Sequence, residues 1–381
     1  MSDPFPAPSP YRDGLRSSLS PSSLTATTFS YADAPQTRRG EKLIYARQDY
    51  PGCLVAEARL AGLEGAASAM LFGSGMAAIT SFFMALEPGD QVVLPRTIYW
   101  PQLVWLHDFA ERVGLELVWA EGNAVSDFER VVTPRTRAVW VEILSNPDLA
   151  MIDIAALARV LPDHTALAVN ATCLSPALVT PLALGADYVI HSASKILGGH
   201  NDVLGGAISC AADTPLWRRI AHIRWLHGNG MSARDAAILE RSLATLSPRM
   251  ETASRHALEV AYALRHHPLI AQVRYIGLDD HPDHAKALRN LNNKGFGPLI
   301  GLDMRLPAEA CRALCAATEV WTNATGFGSV ISTLEHRATA EYFVSQSQRN
   351  YLRLSVGLES PEVLVRDLLQ AIEFPAYQAA V

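Results

Sequence analysis

In this chain of 381 residues, the segment 185–206 gathers the side chains most able to do chemistry. An apolar run ends at His191. Ser192, Ser194 and Lys195 follow, then the turn Gly198-Gly199-His200-Asn201-Asp202 and the pair Gly205-Gly206. A lysine just past a strand, flanked by small hydroxyl residues, suits a Schiff base with an aldehyde cofactor whose phosphate the hydroxyls would bind. The plainer reading is a surface lysine in a loop. Gly73-Ser74-Gly75-Met76 opens a helix, so its backbone N–H groups could hold an anion, or Ser74 could serve as a plain cap. Tyr99 follows a strand at 91–95 and could stack on a flat ring, or pack as a core tyrosine. Tyr45 and Arg47 could clamp a phosphate. Arg353, on a β-type run, could grip a carboxylate with two parallel hydrogen bonds, or sit at a strand end on the surface. His200-x-Asp202 has too few ligand-type neighbours for a metal, and none is expected. Cys311 and Cys315, at i and i+4, read as core.

These residues need elements to hold them. Short apolar runs at 91–95, 115–120, 138–143, 166–169, 188–191 and 207–210 read as strands. They are continuous, not alternating, as expected when both faces are covered. Helical spacing appears at 54–70, 76–86, 102–113, 153–161 and 233–265, the last broken at Pro248. Strand–helix alternation implies an α/β fold with a mostly parallel sheet between helix layers. The expected division is an N-terminal arm at 1–50, a large domain at 51–250 and a small α+β domain at 251–381. The Ser- and Pro-rich arm would be disordered or would wrap a partner subunit.

Composition removes other classes. The chain is 49% hydrophobic and 18% charged, which excludes a disordered chain. Lys+Arg 32 against Asp+Glu 38 gives −6, and no basic run exceeds Arg38-Arg39 or Arg218-Arg219. No nucleic-acid partner is expected. No apolar run is long enough for a membrane span, and residues 1–21 lack the apolar stretch of a secretory signal. Five cysteines with no CxxC argue against a disulfide scaffold or zinc ribbon, so a cytoplasmic location is expected. No strand leads into GxGxxG, which disfavours a nicotinamide dehydrogenase.

Taken together, the segments resemble the Cys/Met-metabolism family of pyridoxal-phosphate (PLP) enzymes. That family includes cystathionine γ-synthase, cystathionine β- and γ-lyases and methionine γ-lyase. The resemblance runs in order over about 45–357: Tyr45-x-Arg47, Leu63-Glu64-Gly65, residues 74–79, Gly89-Asp90, Tyr99, Ser145-Asn146-Pro147, and residues 191–195, 198–206 and 353–359. It implies PLP fold type I (aspartate-aminotransferase-like) and PLP as cofactor. It also implies an amino-acid substrate and a homotetramer built from dimers that share active sites. By the same resemblance Lys195 is the Schiff-base lysine and proton shuttle. Gly75, Met76, Ser192 and Ser194 bind the phosphate, with Tyr45 and Arg47 reaching it from the neighbouring subunit. Tyr99 stacks on the ring and could protonate a leaving group, Asn146 bonds the ring hydroxyl, and Arg353, with Tyr45, meets the substrate.

Departures stand beside the matches. The family's Asp-Asn-Thr run, 25 positions before the lysine, is here Asn170-Ala171-Thr172. Its aspartate pairs with the ring nitrogen, and Asn170 cannot supply that charge. The family's Ser-Leu-Gly-Gly run begins at Gly326-Phe327 here, and Tyr-Gly-Gly has become Tyr99-Trp100-Pro101. The expected activity is β/γ-elimination or γ-replacement on a sulfur- or γ-substituted amino acid, with a weakened electron sink. The alternative is a PLP-binding paralogue with degraded catalysis in a regulatory or structural role.

Overall fold

The computed structural model describes residues 26–32, 42–340 and 350–378. Most of the expected arm, including Arg38-Arg39, and the segment 341–349 lie outside the described residues. The chain runs α1 (Pro51–Glu64), β1 (Ser68–Phe72), α2 (Gly75–Met84), β2 (Gln91–Pro95), α3 (Trp100–Val113), β3 (Glu116–Ala120), α4 (Val125–Glu129), β4 (Thr136–Glu142), α5 (Ile154–Val160), β5 (Ala166–Asn170), β6 (Tyr188–Ser192) and β7 (Gly206–Cys210). Among the described residues these strands form a seven-stranded sheet in the order β1-β7-β6-β5-β4-β2-β3. β7 runs antiparallel to both neighbours, and every other pairing is parallel. Successive side chains of one strand feed opposite cores. Val139 and Val141 of β4 pack with α1 and α5, while Ala138 and Trp140 pack with α2 and α3. A strand buried on both faces needs a continuous apolar run, which is why these strands show no alternation.

Two sequence expectations are corrected. The helix anticipated over 54–70 stops at Glu64. Gly65 takes φ 65, and its N–H closes back on Gly62, so the chain leaves the helix there. Ser68–Phe72 is instead a strand, paired with β7. Its short apolar run fits either period, and the free edge of β7 decides the outcome. The break near Pro248 lies earlier, at Ala244-Thr245, because Pro248 falls in the first turn of the next helix, where an N–H has no acceptor to lose. The short α4 was not anticipated.

The chain continues through α6 (Pro215–His227), α7 (Ala233–Leu243), α8 (Leu246–Leu264), β8 (Ile270–Arg274), α9 (His284–Asn290), β9 (Leu299–Met304), α10 (Ala308–Ala317), β10 (Thr322–Asn323), β11 (Thr333–His336), α11 (Arg337–Ala340), β12 (Tyr351–Ser355) and α12 (Pro361–Gln378). A second sheet, β10-β11-β12-β9-β8, is mainly antiparallel and carries its own core, which contains Cys311 and Cys315. The helix α8 serves both cores. Leu246 and Met250 pack under the large sheet, and Ala257, Val260 and Leu264 under the small one. The expected boundary at 250/251 falls inside this helix.

Candidate active site

Glu142, Asn170 and Ser192 are the last residues of β4, β5 and β6, and all three line one cavity of ≈ 300 Å³. The start of α2, Tyr99, Asn146, Ser194, Lys195 and Phe327 also line it. Thus Gly75, Met76, Tyr99, Asn146, Asn170, Ser192, Ser194 and Lys195 are brought together. Tyr45, Arg47 and Arg353 are not part of the wall.

One end of the cavity is an anion cradle. Ser74 caps α2, its hydroxyl oxygen accepting the Ala77 N–H at 3.0 Å and its carbonyl the Ala78 N–H at 3.1 Å. The N–H groups of Gly75 and Met76, at the first turn, have no acceptor in the helix. A Cβ on Gly75 would stand 2.8 Å from Ser192 Cβ, so only glycine lets α2 and β6 meet this closely. Ser192 Oγ makes no hydrogen bond among the described residues. Ser194 differs: its hydroxyl donates to the Gly205 carbonyl at 3.2 Å and accepts the Gly205 N–H at 2.9 Å. Its proton is committed to closing the loop that carries Lys195.

Lys195 follows β6 in a turn closed by its N–H to the Ser192 carbonyl at 3.2 Å. Its ammonium makes no ion pair among the described residues and lies 5.3 Å from the Phe327 ring centre. Burial, then the nearby Arg353 charge, pulls its pKa down, which enriches the nucleophilic free amine. Burial pushes the Tyr99 phenol up, so it keeps its proton at neutral pH. Beneath it lies Glu142, pushed up to about 7 by burial. Its two oxygens accept the N–H of Tyr99 at 3.0 Å and of Asn146 at 3.1 Å. Sequence reasoning missed Glu142. The available signal was one carboxylate closing the apolar run 138–141 of β4.

Arg353 lies behind Phe327, its guanidinium carbon 5.0 Å from the ring centre. It donates to Asn146 Oδ1 at 2.9 Å and to the Gly326 carbonyl at 3.1 Å. It also pairs with Glu335, a buried carboxylate on β11 that takes a second arginine, Arg337, at 2.8 Å. Neither Glu335 nor Arg337 was singled out from sequence. Because a guanidinium only donates, Asn146 must present its oxygen to Arg353 and its NH₂ elsewhere. Tyr45 and Arg47 lie away from the cavity, with the Arg47 guanidinium 5.7 Å from the centre of the Tyr45 ring. Tyr45 is half exposed.

The residues present fit PLP. The unfilled N–H pair at α2 and the free Ser192 hydroxyl suit a phosphate, the unpaired amine of Lys195 suits an aldehyde, and the amides of Asn146 and Asn170 suit polar ring atoms.

Comparisons with known proteins agree. A family model described as Cys/Met metabolism PLP-dependent enzyme matches residues 11–373. Cystathionine gamma-synthase of Mycobacterium bovis is 37% identical over 335 residues, 86% of each chain. L-methionine gamma-lyase of Pseudomonas putida is 32% identical over 87% of this chain and 85% of its own. The crystal structure of metB from Corynebacterium glutamicum superposes with a TM-score of 0.87 at 31% identity, covering 95% of this chain and 94% of that one.

Proposed function

The chain belongs to the Cys/Met metabolism PLP-dependent enzymes, and from that membership we propose that it eliminates or replaces a sulfur- or oxygen-linked group at the β- or γ-carbon of an amino acid. It is a PLP-dependent enzyme of the carbon–sulfur lyase and γ-replacement type, with PLP as cofactor and the type I (aspartate-aminotransferase-like) fold. The observation that carries the proposal is the unpaired, largely buried Lys195 amine facing an unfilled anion cradle.

When bound, PLP supplies an electron-accepting ring joined to the substrate nitrogen. The chain's own residues do the rest. Gly75, Met76 and Ser192 hold the phosphate, and Ser194 keeps the Lys195 loop closed. Lys195 would hold the aldehyde and, as a free amine, would take the α-proton; its depressed pKa suits it to both tasks. For a γ-leaving group it also moves a proton from the β-carbon. Tyr99, still protonated at neutral pH, gives its proton to the departing sulfur or oxygen. Glu142 fixes the Tyr99 and Asn146 backbones. Arg353 meets the substrate carboxylate once Glu335 yields it to the ligand and the Phe327 ring moves aside. Tyr45 and Arg47, outside their own cavity, reach the phosphate of a neighbouring subunit in a homotetramer of dimers. No helix among the described residues is long and apolar enough to cross a membrane, and we place the enzyme in the cytoplasm.

A second reading, a PLP-binding protein without turnover, draws on the Glu335 carboxylate already seated on Arg353. One experiment separates the two. The PLP-loaded protein is offered cystathionine, methionine, homocysteine and O-acylhomoserines, with spectrum, 2-oxo acid and ammonia followed. Turnover of one member, lost in Lys195→Ala, supports the enzyme. A spectrum indifferent to the whole panel supports the binding-only reading.

A further inference from the structure

The hydrogen-bond directions around Asn170 follow from which groups can only donate. The Ser192 N–H lies 2.9 Å from Thr172 Oγ1, and a backbone N–H can only donate. The Thr172 hydroxyl therefore accepts there, and it lies 2.6 Å from Asn170 Oδ1, able to donate to that oxygen. The Thr172 N–H, a second obligate donor, lies 3.1 Å from the same oxygen. Turning the Asn170 amide over would set its NH₂ against the Thr172 N–H, which can only donate. Its oxygen is thus held by Thr172, and its NH₂, with no partner among the described residues, is left for the cavity that Asn170 lines.

We propose that Asn170 donates a hydrogen bond to the PLP ring nitrogen and so keeps that nitrogen unprotonated. This rests on the PLP site proposed above. A protonated ring nitrogen would bring a second N–H against the first. No neighbouring group supplies the missing anion. Glu142, from β4, is held largely neutral below about pH 7 by burial, and both its oxygens are turned to backbone N–H groups. Cys173, beside Asn170, stays a thiol, its pKa pushed up to about 12 by burial. Tyr99, after β2, stays neutral. The small-sheet arginines Arg337 and Arg353 are cationic, and the one carboxylate among them, Glu335, is taken up by the two. A cationic ring would meet net positive surroundings.

The test reads the ring itself. Protein is loaded with PLP isotopically labelled at the ring nitrogen, and the NMR shift of that nitrogen is recorded across the neutral pH range. The expected result is the shift of an unprotonated pyridine, independent of pH, moving to the pyridinium shift in Asn170→Asp. A pyridinium shift in the unaltered protein overturns the proposal, and so does an unaltered shift in Asn170→Asp. Peptide mapping after borohydride reduction keeps the two failures apart. An unmodified Lys195 overturns the site reading itself, whereas a pyridoxyl-modified Lys195 with a protonated ring overturns only the role of Asn170.

Discussion

Glu142 shows how one buried carboxyl can govern an active-site wall without touching substrate. Its oxygens fix the backbones of Tyr99 and Asn146, and burial lifts its pKa from 4.5 to about 7. A folded-state pKa above the unfolded value adds stability that is present below pH 4.5 and lost as pH rises through about 7. Glu142→Gln removes that titration, so the urea midpoint of the variant should stay flatter than that of the parent between those values. An identical slope in both proteins would show that Glu142 does not titrate there. Lys195 was legible in the sequence because strand end, hydroxyls, lysine and glycines are consecutive. Glu142, Glu335 and Arg337 were not, because a lone charged residue in a strand or turn reveals its partner only once the sheets are assembled. The sequence showed the loss of charge at Asn170, but the direction of its amide depends on the Thr172 N–H, whose aim the folded backbone sets.

Elements set the distances these residues need. The close approach of α2 and β6 depends on Gly75, and the loop after β6 folds over α2 only because a Cβ on Gly206, which would stand 2.1 Å from the Ser74 carbonyl oxygen, is missing. Gly75→Ala should force α2 and β6 apart at an overpacking penalty of about 1–3 kcal/mol. If that strain appears in the loaded state, PLP binds about 5- to 150-fold more weakly, as fluorescence titration would measure. Unchanged affinity would mean that the cradle has room the geometry denies. The strand β6 is also tied to α1, where buried His191 bonds Glu64 at the helix end. Most of the large sheet could be read from its continuous apolar runs. The edge strand β1 could not, because its five residues match helix and strand periods equally and only pairing with β7 settles them.

At the scale of the whole molecule, α8 joins the core under the large sheet to that of the small one, and the cavity lies where the large sheet's strand ends meet Phe327. The segment at 42–50 is pinned to α6 by Arg224. This fully buried guanidinium sits 3.3 Å from both Asp49 and Glu57, and its Nε donates to the Leu71 carbonyl at 2.6 Å. Arg224→Met strips that cation from two buried carboxylates and should cost about 3–5 kcal/mol, read as a lower denaturation midpoint. A midpoint within error of the parent would mean that the carboxylates are neutral or hydrated. The same pin presents Tyr45 and Arg47 outward. If subunits share sites, Arg47→Ala mixed with Lys195→Ala should recover part of the activity that each lacks alone, and no recovery on mixing would confine each site to one chain. No motif spacing reveals such sharing, which depends on assembly.

The most direct measurement is to load the protein with PLP, reduce it with borohydride and locate the pyridoxyl group by peptide mass mapping. The account predicts that the label falls on Lys195, at one per chain, and that Lys195→Ala carries none. A label on any other lysine, or a protein that retains none, would contradict it.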